Sequence, residues 1–227
     1  MTPEQLQARV LHRDGLMLIL DKPAGLPCHA GPKGGPNLEA LFDGLRYGLP
    51  KPPSLAHRLD RDTSGCLVLG RHRKALAKLG RLFSSGGIDK TYWAIVEGGP
   101  AEDSGRIDKP LSKLNKKSGW KMVVDLEGQP SQTDFRVLGR AEGCTWLELK
   151  PLTGRTHQLR IHCASMGWPI LGDPVYGPVA GETGGIPLHL HARAISVPLY
   201  PKRDPIAATA TPPAHMLAAL KACGFGG

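Results

Sequence analysis

Two carboxylates, two arginines, a histidine and two hydroxyls crowd into His57-Arg58-Leu59-Asp60-Arg61-Asp62-Thr63-Ser64-Gly65. A carboxylate beside cationic partners stays ionised near neutral pH and can act as nucleophile or base. The stretch lies between a proline-rich loop, LPKPPS, and an apolar run, Cys66 to Leu69, that reads as a strand. Loops carried on a rigid sheet are where reactive groups concentrate. The same residues would also make a polar turn in which Asp60 or Asp62 caps a helix, and spacing alone leaves both readings open.

A second polar cluster runs from Thr153 to His162, TGRTHQLRIH. On a helix, Thr156 and Arg160 stand one turn apart, with Leu159 and Ile161 as apolar surface. Arg160 can grip a carboxylate with two prongs, which a lysine cannot copy. His157 and His162 are five apart, a poor separation for two metal ligands on one helix face, so no metal is expected. His162 reads as a satisfied polar group near the core. His189 and His191 alternate on a strand and read as packing or RNA-facing residues.

Leu16 to Leu20 reads as a buried strand and residues 23–37 as loop. Asn37 caps a short helix through Tyr47, with Leu38, Leu41, Phe42 and Leu45 on one face. His72 to Phe83 reads as a helix with Leu76, Leu79 and Phe83 inward. In KTYWAIVEG, Tyr92, Ala94 and Val96 share one strand face, and Trp93 and Ile95 the other. SQTDFRVLGR and CTWLELKPL read as strands around the turn Ala141-Glu142-Gly143. Arg155 to Met166 reads as a helix, WPILGDPVYG as a structured loop, and LHLHARAISV as a late strand. Pro213 opens a terminal helix ending at Gly224. Strands outnumber helices and are mostly joined by turns. The expected fold is therefore α+β, a mixed, largely antiparallel sheet with flanking helices, as a single domain over residues 1–227.

The net charge of +9 over 227 residues suits a polyanionic partner, although solubility alone would also account for it. Lys109, Lys113, Lys116, Lys117 and Lys121 surround Trp120. Such a loop can track a phosphate backbone and stack on an unpaired base, or stand as a solvated hairpin. The five cysteines are odd in number and form no C-x-x-C pair, which argues against a disulfide framework or a zinc knuckle. No signal-like segment opens the chain and no apolar run is long enough to span a bilayer. The expectation is a soluble cytoplasmic monomer without a membrane partner.

Four segments together resemble the RluA-type pseudouridine synthases. Asp21 to Leu26, DKPAGL, is similar to that family's early NKPxGL loop, with Asp in place of Asn. His57 to Gly65 matches its HRLDxxTSG signature, and Lys90 to Ala94 its KxYxA strand. Leu149 to Gly177 resembles its long later signature, ending in GDxxYG. The resemblance covers about residues 14–200 and implies isomerisation of uridine to pseudouridine in tRNA or rRNA, with no cofactor. About a dozen residues precede the first strand, so it also implies a compact member without the S4 module.

By the same resemblance Asp60 is the catalytic aspartate, attacking the sugar carbon or removing the ribose 2′ proton. Arg160 is the arginine expected to pair with it. Tyr92 packs on the target base and assists proton removal at carbon 5. Arg58 enters the stack that the target nucleotide leaves, and Lys113, Lys116 and Lys117 contribute RNA affinity. A non-catalytic RNA-binding protein on the same scaffold is the competing reading. A carboxylate hydrolase of N-glycosidic bonds, releasing free uracil, is another.

Overall fold

The computed structural model describes residues 1–31, 34–114, 121–177 and 184–226. The chain opens with α1 (Pro3–Gln7), β1 (Val10–Arg13) and β2 (Met17–Lys22), followed by a 3-10 helix (Glu39–Leu45). Next come β3 (Ser54–Leu55), β4 (Ser64–Gly70), α2 (Arg73–Ser84) and β5 (Asp89–Glu97). Short strands β6 (Ser104–Asp108), β7 (Leu111–Lys113) and β8 (Met122–Val124) lead to the long pair β9 (Gln132–Ala141) and β10 (Cys144–Pro151). Then α3 (Gln158–Ser165), β11 (Leu190–Val197), β12 (Ile206–Thr209) and α4 (Ala214–Ala222) close the chain. Every strand pair whose register is described is antiparallel, and the fold is α+β with few helices.

Residues gather into two compact units, each drawn from separate stretches of chain: residues 1–90 with 192–213, and residues 91–191 with 214–227. In the first, β2 pairs with β1 on one side and β4 on the other, β4 also carries β3, and β11 pairs with β12. All seven residues of β4 are buried, as befits a strand covered on both faces. Its core joins Met17, Ile19, Cys66 and Val68 to Leu79 of α2 and to Ile195 and Val197 of β11. Gly65 has φ +104, and a Cβ there would stand 2.2 Å from the Ala192 carbonyl oxygen, so the close approach of β4 and β11 requires glycine.

In the second unit β10 pairs with β5 and β9, and β9 with β6, while β7 and β8 make a separate hairpin. The alternation read in β5 holds. Tyr92, Ala94 and Val96 pack with Leu147, Leu149, Leu159 and Cys163, whereas Trp93 and Ile95 pack with Trp146 and α4.

Two helical segments differ from expectation, and several short elements are additional to it. The segment after Asn37 is a 3-10 helix, shorter than a helix through Tyr47, and Tyr47 has φ +45. Asn37 Oδ1 still accepts the Ala40 N–H. Helix α3 begins at Gln158, so Thr156 stands before it. His157 is left-handed at φ +53, and the Gln158 side chain accepts the Arg155 N–H at 3.0 Å, which bends the chain where a longer helix was expected. Helix α1 and strands β1, β3, β6, β7, β8 and β12 were not anticipated; they are short, and β1 alternates between half-buried and exposed residues that carry little apolar signal.

Candidate active site

In the first unit, the segment His57 to Thr63 approaches β4 as a loop held from beneath. Lys22, the last residue of β2, is fully buried, and its Nζ donates to the carbonyls of Pro23 (2.8 Å), Leu26 (2.7 Å) and Arg61 (2.9 Å). An ammonium has three donors, and all three are used. Burial lowers the Lys22 pKa to about 8, against the opposing pull of Cys28, Asp62 and Asp60. The two motifs DKPAGL and HRLDRDTSG are thus joined through one cation. Cys28 adds a weaker tie, its thiol donating to the Leu59 carbonyl.

Within the loop, the Thr63 N–H donates to the Asp60 carbonyl, closing a turn around Arg61 and Asp62. Those two residues form a two-pronged pair, Arg61 Nε to Asp62 Oδ1 and Arg61 Nη2 to Asp62 Oδ2, both at 3.0 Å. Asp60 is half-buried and Arg58 exposed. His57 packs on Phe83 with ring centroids 4.4 Å apart, and its Nε2 accepts the Val68 N–H at 3.0 Å. Burial, with the Lys90 cation nearby, lowers its pKa to about 3, so the ring is a neutral prop of the loop.

The second unit holds Tyr92, Arg160 and Lys113. Tyr92 is half-buried on β5, opposite Leu149. Arg160 is buried on α3 and meets Asp173 side on, Nε to Oδ2 and Nη2 to Oδ1, both at 2.8 Å. Asp173 also accepts the N–H groups of Val175 and Tyr176. Burial raises the Asp173 pKa, but the bond and charge of Arg160 and the two N–H donors outweigh it, and the net shift is downward. The Arg160 guanidinium carbon lies 5.3 Å from the Tyr176 ring centroid. The Tyr176 hydroxyl pairs with His157 Nδ1 at 2.9 Å and accepts the Met122 N–H.

Asp173, Tyr176 and Gln158 were not singled out in the sequence. The first two lie in the GDPVYG segment, whose motif was visible while the partners of its side chains were not. Gln158, buried before Leu159, holds Thr153 Oγ1 and the Gln132 carbonyl through its amide. Ile161 packs with Leu111, Met122 and Tyr176, seating the base of the β7–β8 hairpin on α3.

The basic run divides. Lys109 donates to the Ser165 carbonyl at the end of α3, so it caps that helix. Lys113 is exposed at the end of β7, while Lys116, Lys117 and Trp120 lie outside the described residues. His162 is fully buried between Thr133 Oγ1 and the Lys109 carbonyl, the satisfied core histidine expected. His189 and His191 are buried, which removes the RNA-facing reading and leaves packing. Among the described residues no cluster of three or more His, Cys, Asp or Glu could hold a metal ion, and no helix is long and apolar enough to cross a membrane.

The arrangement of strands and helices is that of pseudouridylate synthase domains. The structure titled human RNA Pseudouridylate Synthase Domain Containing 4 aligns at a TM-score of 0.80 and 27% identity, over 96% of this chain and 95% of that one. The RNA pseudouridylate synthase family matches residues 16–165, and the chain belongs to that family, a class of isomerases. An uncharacterised RNA pseudouridine synthase of Zymomonas mobilis is 43% identical over 210 residues, which are 92% of this chain and 95% of the relative. The ribosomal large subunit pseudouridine synthase C of Buchnera aphidicola is 39% identical over 170 residues, 74% of this chain and 54% of that protein.

Proposed function

We propose that this protein converts uridine to pseudouridine in ribosomal or transfer RNA, with Asp60 as the reacting carboxylate. The observation that carries the choice of acid is the anchoring of its loop. Lys22 fixes the backbone at Arg61, Arg61 holds Asp62 in a two-pronged pair, and the Thr63 N–H on the Asp60 carbonyl closes the turn, which sets Asp60 as a half-buried acid at the start of an anchored loop. The name of the Buchnera relative favours ribosomal RNA among the substrates.

The reaction needs no net oxidant or co-substrate. The bond from uracil N1 to ribose C1′ breaks, the uracil turns, and its C5 bonds to C1′. The C5 proton then leaves while N1 gains one. Asp60 serves either by attacking C1′, forming an ester that is later broken, or by taking the 2′ proton to give a glycal that is later reprotonated. Tyr92 supplies a ring for the uracil and a hydroxyl for the C5 proton. Arg160, oriented by Asp173, supplies a buried cation for the carboxylate chemistry. Arg58, exposed beside Asp60, fills the stack that the extruded nucleotide leaves. The protein acts as a cytoplasmic monomer in this account.

Incubation with RNA from cells lacking the protein tests the proposal. The expected result is a gain of pseudouridine with no free uracil. Free uracil and abasic ribose would instead mark a hydrolase. RNA binding without pseudouridine would mark a non-catalytic binder.

A further inference from the structure

At the Gly70 end of β4, opposite the end that Asp60 precedes, lies a cavity of about 310 Å³ within the first unit. Leu49, Pro50, Pro52 and Leu76 form an apolar wall, and Lys51, Arg71, His72 and Arg73 are among the other residues that line it. We propose that this cavity is an accessory site for a ribose–phosphate unit of the RNA, distinct from the uridine being modified. The proposal rests on the reading of RNA as the substrate.

The cations around this cavity lack the neutralisation that structural arginines usually have. Lys51 and Arg73 are exposed and make no ion pair among the described residues. Arg71 is fixed by carbonyl oxygens of Asp14, Arg46 and Tyr47, so its orientation is set without any carboxylate. Its Nε is buried without a hydrogen-bond partner. No acidic residue is among the lining residues.

Helix α2 points the same way. It opens with Arg73 and Lys74 and has no acid in its first turn. Positive side chains oppose the helix dipole there, an arrangement that stability alone disfavours and that an anion would relieve. His72 already caps the helix by accepting the Ala75 N–H. The apolar wall suits the face of a sugar or base, and the cations suit the phosphate. The volume is at the low end of small-ligand pockets, roughly 300–1,000 Å³, so it takes one nucleotide unit and not a folded partner.

Six residue steps of β4 separate Ser64 from Gly70, about 20 Å along an extended strand. A phosphate held at the cavity is therefore well removed from the nucleotide at Asp60. The cavity would set how strongly RNA is held and leave the chemical step alone.

The test uses the full chain and RNA from cells lacking the protein, with both binding and isomerisation measured. Lys51→Glu with Arg73→Glu should weaken RNA binding and raise KM at least tenfold, with kcat at saturation changed less than twofold. A charge-matched control, Arg81→Glu with Lys202→Glu, should change binding less than threefold. Lys51→Arg with Arg73→Lys should behave as wild type. If the Glu pair fails to fold, the Ala pair at the same exposed positions should flatten the salt dependence of binding by about one phosphate contact or more. Equal effects in the cavity and control variants would overturn the proposal, as would loss of binding in the Arg/Lys exchange. Wild type that binds RNA without isomerising it would sink only the catalytic reading, because the binding titration still judges the cavity.

Discussion

Arg160 and Asp173 face each other through two parallel hydrogen bonds of 2.8 Å, with side chains 7% and 0% exposed. Thirteen residues separate them in sequence, and the pair fixes the guanidinium plane on α3 while Asp173 is itself held by two backbone N–H groups. A two-pronged buried pair cannot be replaced piecewise. Asp173→Asn removes the Asp173 charge from the buried guanidinium and breaks the two-pronged pair, and should cost about 3–5 kcal/mol of stability. Arg160→Lys keeps the charge but loses the fork. Its isomerase rate should fall at least tenfold, with a smaller loss of stability than Asp173→Asn. Denaturant titration and single-turnover assays on the two variants check this; the reverse order of stability would contradict it.

Lys22 gives a pH signature of definite sign. Its pKa is lowered from 10.5 to about 8 by burial, so between those values the folded protein binds fewer protons than the unfolded chain. This group's contribution to stability therefore rises with pH across that window and is flat below it. Lys22→Met removes the titration and leaves three buried carbonyls unpaired, at about 1–3 kcal/mol each before relaxation. The stability gap between wild type and Lys22→Met should widen from about pH 8 towards pH 10.5. A gap that narrows over that range would show that the three carbonyls favour the ammonium more than burial disfavours it, so that the Lys22 pKa is raised and not lowered.

Gly65→Ala should be among the most damaging small changes. Its φ of +104 and the 2.2 Å approach to the Ala192 carbonyl demand movement of β4 or β11. The expected loss exceeds about 3 kcal/mol, read by thermal unfolding. A melting temperature within a few degrees of wild type would refute the close packing.

Much of this was legible from the chain. The two faces of β5 and the hairpin of β9 and β10 came through because period-two alternation and a glycine turn act locally. The start of α3 did not, because the reach of the Gln158 side chain and the left-handed His157 are tertiary features. Asp60 and Arg160 stood out as residue types in dense motifs. Asp173 did not, since nothing in GDPVYG says which of its side chains meets a helix thirteen residues earlier. Lys22 looked like one member of a loop motif, and only its burial reveals three carbonyls around one ammonium.

The lysine-rich segment makes a separate, salt-dependent prediction. Neutralising Lys113, Lys116 and Lys117 together should reduce the slope of log affinity against log salt by roughly two to three units for an RNA duplex or strand. Filter-binding titrations at several salt concentrations measure it. An unchanged slope would assign those charges to solvent.

The central claim is most directly tested by quantifying pseudouridine after incubating wild type and Asp60→Asn with RNA from cells lacking the protein. Wild type should introduce pseudouridine at discrete positions. Asp60→Asn should introduce none while keeping the wild-type fold and RNA affinity within about threefold. Pseudouridine formation by a folded Asp60→Asn protein at a rate near wild type would contradict the account.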